Sequence, residues 1–82
     1  MAYEIEYNHE AQRDLRKLSP EVARRVIEKI HRLADGLAGD IKRLRHITPG
    51  YRLRVGDWRV LFAIEKNTIV IHHVSHRSKA YD

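Results

Sequence analysis

Cysteine is absent from the chain, so no disulfide can staple the fold, and that absence fits a reducing cytosol. Long apolar runs are also missing: nothing approaches the roughly 18 residues of a membrane span. The first residues, MAYEIEYNHE, alternate polar and apolar and carry acids, unlike a secretion signal. These absences predict a soluble, cytoplasmic protein with no membrane association. Repeats, linkers and low-complexity segments are lacking too, which predicts a single domain over residues 1–82. A domain of that length buries a smaller share of its surface than a larger one, so a permanent partner would help to stabilise it.

Acidic residues are scarce in the second half. Residues 42–82 hold 9 Lys+Arg against 3 Asp+Glu, a charge of +6, whereas residues 1–41 hold 7 against 8, a charge of −1. The net +5 therefore belongs to the second half. A basic face kept for solubility is the plain explanation, and a surface that meets a polyanion is the functional one.

What is present reads as strand, two helices, then strands. Tyr3, Ile5 and Tyr7 alternate with Ala2, Glu4 and Glu6, the period of a half-buried strand. Asn8 is a good N-cap, and Ala11, Leu15 and Leu18 recur at helical spacing, so a helix is predicted from Asn8 to about Leu18. Ser19 as N-cap and Pro20 at the first helical position start a second, longer helix. Its apolar stripe is Val22, Val26, Ile30, Leu33 and Leu37, and Gly36 and Gly39 mark its end. YRLRVGDWRVLFAI and TIVIHHVS are rich in β-branched and aromatic residues, with turns at Gly56-Asp57 and Lys66-Asn67. The predicted fold is α+β in the order β-α-α-β-β-β, with a helical hairpin on one face of an antiparallel sheet and the other face open.

A two-residue turn at Gly56-Asp57 pairs Val55 with Trp58, Arg54 with Arg59 and Leu53 with Val60, and sets Arg52 across from Leu61. Alternation then projects Arg52, Arg54 and Arg59 from one face and Tyr51, Leu53, Val55, Trp58, Val60 and Phe62 from the other. Like charges directly across a hairpin destabilise it, and broken local rules often mark functional sites. Long side chains that splay apart, or neutralisation by Asp57 or Glu65, would be the structural explanation. Guanidinium suits a phosphodiester, because its planar fork donates paired hydrogen bonds and stays charged. It is a poor general base, so a tyrosine, histidine or carboxylate must take any proton.

The segment HHVSHRSKAYD supplies such groups. His72 and His73 are adjacent on a predicted strand and point to opposite faces, and no nearby carboxylate completes a known spacing, so neither a metal site nor a cofactor is predicted. Alternation sends His73 toward the helices and His72 to the arginine face. Neighbouring arginines would favour the phenolate of Tyr81, a route to proton transfer, while a packed tail aromatic is the alternative role for that residue.

The element order, YRLRVGDWRVLF in the middle and VSHRSKAY at the end resemble the RelE/ParE toxin superfamily, and its RelE-like branch in particular. The resemblance spans essentially the whole chain. It implies the toxin of a type II toxin–antitoxin system: an endoribonuclease, acting without a metal, that cleaves messenger RNA in the ribosomal A site and so inhibits translation. It implies Arg52 and Arg54 as holders of the phosphate, joined by Arg59 and Arg77, with Tyr81 orienting the scissile nucleotide and activating its 2′-hydroxyl. RNA contacts would come from Lys42, Arg43, Arg45, His72, His76 and Lys79. Some RelE-like relatives carry lysines where this chain has Arg52 and Arg54, which keeps the charge and removes groups able to release a proton. The implied partners are a cognate antitoxin, in a higher-order hetero-oligomer, and the ribosome with its messenger. ParE-like members share the fold and inhibit DNA gyrase, and that activity is the alternative.

Overall fold

The computed structural model describes residues 2–45 and 50–79. The elements run β1 (Glu4–Tyr7), α1 (His9–Arg16), α2 (Pro20–Leu33), β2 (Asp40–Arg43), β3 (Tyr51–Val55), β4 (Trp58–Glu65) and β5 (Thr68–His76). Among them, no helix is long and apolar enough to cross a membrane.

Both helices start where side chains can satisfy their free amides. Asn8 accepts from the Ala11 N–H at 2.9 Å, and Ser19 accepts from the Val22 N–H at 3.3 Å, with Pro20 directly behind it. The stripe of α2 buries Val26, Ile30 and Leu33 completely. Each such side chain contributes roughly 1.5–3 kcal/mol on leaving water. The helix stops before Leu37, because Gly36 and Leu37 both turn to positive φ. Leu37 still packs against the core from the loop.

The sheet face opposite the helices' apolar stripes carries Leu53, Val55, Val60, Phe62, Ile69, Ile71 and Val74 into the same core. Tyr51 stacks on Phe62 at a centroid separation of 5.4 Å and finishes that layer at one end. Alternation thus divides β3 and β4 as the sequence predicts. The predicted β3–β4 register is also the observed one: Val55 with Trp58, Arg54 with Arg59, Leu53 with Val60 and Arg52 with Leu61.

The α+β class with two helices on a sheet holds, and two details enlarge it. A fifth strand, β2, forms an edge beside β3, giving the order β1-β5-β4-β3-β2. The sheet is mixed, because β1 joins β5 in parallel. Ile41 is the one apolar side chain in β2, too little to display a period, and the partner of an N-terminal strand is a non-local choice that periodicity does not encode. A bulge in β5 opposite Leu61 and Phe62 leaves His72 as the extra residue, so simple alternation ends there.

Candidate nucleic-acid interface

The helix-free face is built from two rungs of cations. Asp40, Arg54 and Arg59 lie side by side across β2, β3 and β4, and Lys42, Arg52 and Leu61 form the next rung. Beyond them Leu61, Ala63 and Val70 make an apolar middle, and Glu4, Glu6 and Glu65 occupy the far corner through their pairing with β5. The face is therefore polarised, basic at β2–β4 and acidic toward β1. Such a field draws a polyanion to one side of the sheet and repels it from the other.

Each guanidinium on this face already has an internal partner, an ion pair for Arg52 and Arg54 and backbone carbonyls for Arg59. Arg54 Nε lies 3.3 Å from Asp40 Oδ2, and Arg52 NH2 lies 3.6 Å from Asp40 Oδ1. Arg59 curls back to donate to the Gly56 carbonyl at 2.9 Å and the Trp58 carbonyl at 3.0 Å. Arg77 arrives at the same turn, its N–H donating to the Asp57 carbonyl at 2.7 Å and its Nε 3.7 Å from the Asp57 carboxylate. The Gly56-Asp57 turn thus gathers Arg59 and Arg77, while Asp40 gathers Arg52 and Arg54. Asp57, which with Glu65 is the alternative structural explanation for the Arg54–Arg59 pair, contacts Arg77 instead. Asp40 takes the neutralising role, and it was out of sight because its strand carries so little apolar signal.

Other candidates lie elsewhere. Arg43 pairs with Tyr51 and His76 pairs with Trp58, so alternation turns both toward the helix side rather than the arginine face. Arg45 is exposed beyond the end of β2. His76 packs edge-on against Trp58 with ring centroids 5.3 Å apart. The Ser78 N–H donates to His76 Nδ1 at 3.2 Å, and the Ser78 hydroxyl lies 3.0 Å from the same nitrogen. His76 and Lys79 line a hollow of about 270 Å³ with Lys17, Asp14 and Trp58, on the helix side of the sheet.

The bulge pairs His73 with Leu61 rather than continuing the alternation from Ile69 and Ile71 that sends it to the helix face, and from there it reaches α1, with Nε2 3.4 Å from Glu10 and Nδ1 3.7 Å from Asp14. Asp14 also accepts from the Val74 N–H at 2.9 Å, stitching α1 to the part of β5 that extends past β1. Among the described residues, no group of three His, Asp or Glu side chains is placed to hold a metal ion. Tyr81 lies outside the described residues.

With this geometry in view, similarity to known proteins is informative. Residues 5–81 match the family of ParE toxins of type II toxin–antitoxin systems, parDE. The RelE3 toxin of Methanocaldococcus jannaschii is 37% identical over 43 residues, a match spanning 52% of this chain and about half, 49%, of that relative. The RelBE2 toxin–antitoxin complex from Mycobacterium tuberculosis contains a chain of similar structure, with TM-score 0.81 and 30% identity over 94% of this chain and 100% of that one. The archaeal RelE–RelB complex from Pyrococcus horikoshii gives TM-score 0.78 at 24% identity over 98% and 100% of the two chains, a likeness of fold. On the match that covers nearly its whole length, the chain belongs to the RelE/ParE superfamily of toxins of type II toxin–antitoxin systems.

Proposed function

We propose that this toxin is an endoribonuclease that cleaves messenger RNA on the ribosome and thereby halts translation. The observation that supports this most is that Arg52, Arg54 and Arg59 share the open face by their register, with Arg77 at the adjoining turn. In this reaction the 2′-hydroxyl of one nucleotide attacks the adjacent phosphorus in line and the 5′-oxygen leaves. The upstream product ends in a cyclic phosphate and the downstream product begins with a 5′-hydroxyl. The arginines bind the non-bridging oxygens and stabilise the charge that builds on them in the pentavalent transition state. DNA lacks the attacking hydroxyl, so selectivity for RNA follows from the chemistry. Lys42 adds charge beside Arg52 on the same face. The proton on the 2′-hydroxyl goes to Tyr81 or to a histidine.

A cognate antitoxin completes the proposal. The matched chains from M. tuberculosis and P. horikoshii are parts of toxin–antitoxin complexes, and a small domain with an open, charged sheet face suits the same arrangement in the cytoplasm. The antitoxin wraps the domain in a hetero-oligomer and covers the arginine face.

One observation favours a second reading: the matched family is that of ParE, which in the resemblance stands for gyrase inhibition. A single experiment separates the two. Purified protein is added to a defined translation system, and messenger ends are mapped by primer extension. New ends within codons support the ribonuclease, whereas intact messenger together with blocked gyrase supercoiling supports the inhibitor.

A further inference from the structure

We propose that Asp40 is a resident counter-ion that occupies the phosphate seat of Arg52 and Arg54 in the free protein and yields it when a phosphodiester binds; the inference rests on the reading of the open face as a surface that binds RNA.

The geometry of the pair carries it. The two arginines sit two residues apart on β3 and project from one face, and Asp40 enters from β2 on the rung of Arg54. Its two oxygens separate, Oδ2 to Arg54 and Oδ1 to Arg52. Two acceptor oxygens on one central atom, each turned to a different guanidinium, is also what the non-bridging oxygens of a phosphodiester present. Asp40 thus stands as a carboxylate in a seat whose donors suit a larger anion.

The same contacts show that it can be displaced. Charge-assisted N–H···O bonds run to roughly 2.7–2.9 Å. The contacts of Asp40, at 3.3 and 3.6 Å, are longer, and its carboxylate is 53% exposed. An ion pair so placed is weak and screened. Arg52 is also left incompletely satisfied, since its Nε is buried without an acceptor. One carboxylate shared by two guanidiniums leaves the pair with a net positive charge. Asp40 therefore sets the threshold of the site: it holds Arg52 and Arg54 side by side when empty and makes every incoming anion compete for them. Asp57 is a weaker version, with a single long contact to Arg77.

Inorganic phosphate is the probe. The full-length protein, labelled with nitrogen-15 and carbon-13, is titrated with phosphate while the Arg52 and Arg54 Nε–H signals and the Asp40 carboxylate carbon are followed by NMR. In the unmodified protein, the Asp40 carbon should move together with the arginine signals. Asp40→Asn should bind phosphate about twofold to fivefold more tightly, the scale expected when one exposed ion-pair partner is withdrawn. Asp40→Glu, which keeps the charge, should stay near the original affinity, and Asp57→Asn should change it less than about twofold. An Asp40 signal that stays fixed while the arginines respond overturns the proposal, as does unchanged or weaker phosphate binding by a folded Asp40→Asn protein. The readout uses neither RNA nor ribosome. Exchange of Asp40 for phosphate in a protein that leaves messenger intact contradicts the ribonuclease reading alone, and messenger cleavage with a fixed Asp40 contradicts the counter-ion alone.

Discussion

Arg54 stands directly across the β3–β4 hairpin from Arg59, and their guanidiniums turn apart, one toward Asp40 on the neighbouring strand and the other back to the Gly56 carbonyl. The like-charge rung is thereby relieved at both ends. A double-substitution cycle with Arg54→Ala and Arg59→Ala should give a repulsive coupling below about 0.5 kcal/mol that shrinks in high salt. Urea unfolding of the four proteins measures it. A coupling that is attractive, or that ignores salt, contradicts this picture of the face.

Asp14 ties α1 to β5 through the Val74 N–H, a backbone donor with no strand beyond it on that side. Asp14→Ala should cost about 1–2 kcal/mol, the scale for an amide deprived of its acceptor. Asp14→Asn keeps an acceptor oxygen and should recover at least half of that loss. Thermal unfolding compares the two, and equal losses would show that the charge matters more than the amide contact.

Gly39 leads into β2 with φ of +134°, and a methyl group placed there would stand 2.8 Å from Leu53 Cδ1. Gly39→Ala combines backbone strain with overpacking, and a loss of about 2–4 kcal/mol should follow. Because β2 carries Asp40, the variant should also loosen Arg52 and Arg54. Chemical denaturation reads the first effect and the arginine Nε–H signals read the second.

Tyr7 is half-buried, its hydroxyl is shut from solvent without a partner, and burial pushes its pKa up. The folded protein therefore holds a proton that the unfolded chain releases, so stability is intact below about pH 10 and declines above it. Tyr7→Phe should unfold at nearly the same denaturant concentration at pH 7, or slightly higher, and should flatten the decline above pH 10. Unfolding curves from pH 7 to 11 test both statements.

Much of this architecture is legible in the sequence because its signals are local. Asn8, Ser19 and Pro20 mark helix starts by the chemistry of free amides, and Gly56-Asp57 fixes the hairpin register that aligns Arg52, Arg54 and Arg59. What escapes is non-local or weakly apolar. The parallel pairing of β1 with β5 joins distant segments, and β2 offers only Ile41 between charges, so Asp40 and its hold on two arginines could not be anticipated. The bulge at His72 is a third such feature, since one extra residue changes no composition. Alternation also assigns Arg43 and His76 to the helix side, a consequence of pairings with Tyr51 and Trp58 that net charge alone does not reveal.

The most direct test of the functional account is cleavage of one messenger in a defined translation system by a protein carrying Arg52→Ala, Arg54→Ala and Arg59→Ala together. The substituted groups lie on the open face and none belongs to the hydrophobic core, so circular dichroism should show an intact fold. The account predicts a fall in cleavage rate of at least about a hundredfold, the scale of losing groups that stabilise developing charge. A folded triple variant that still cuts the same messenger at an undiminished rate would contradict it.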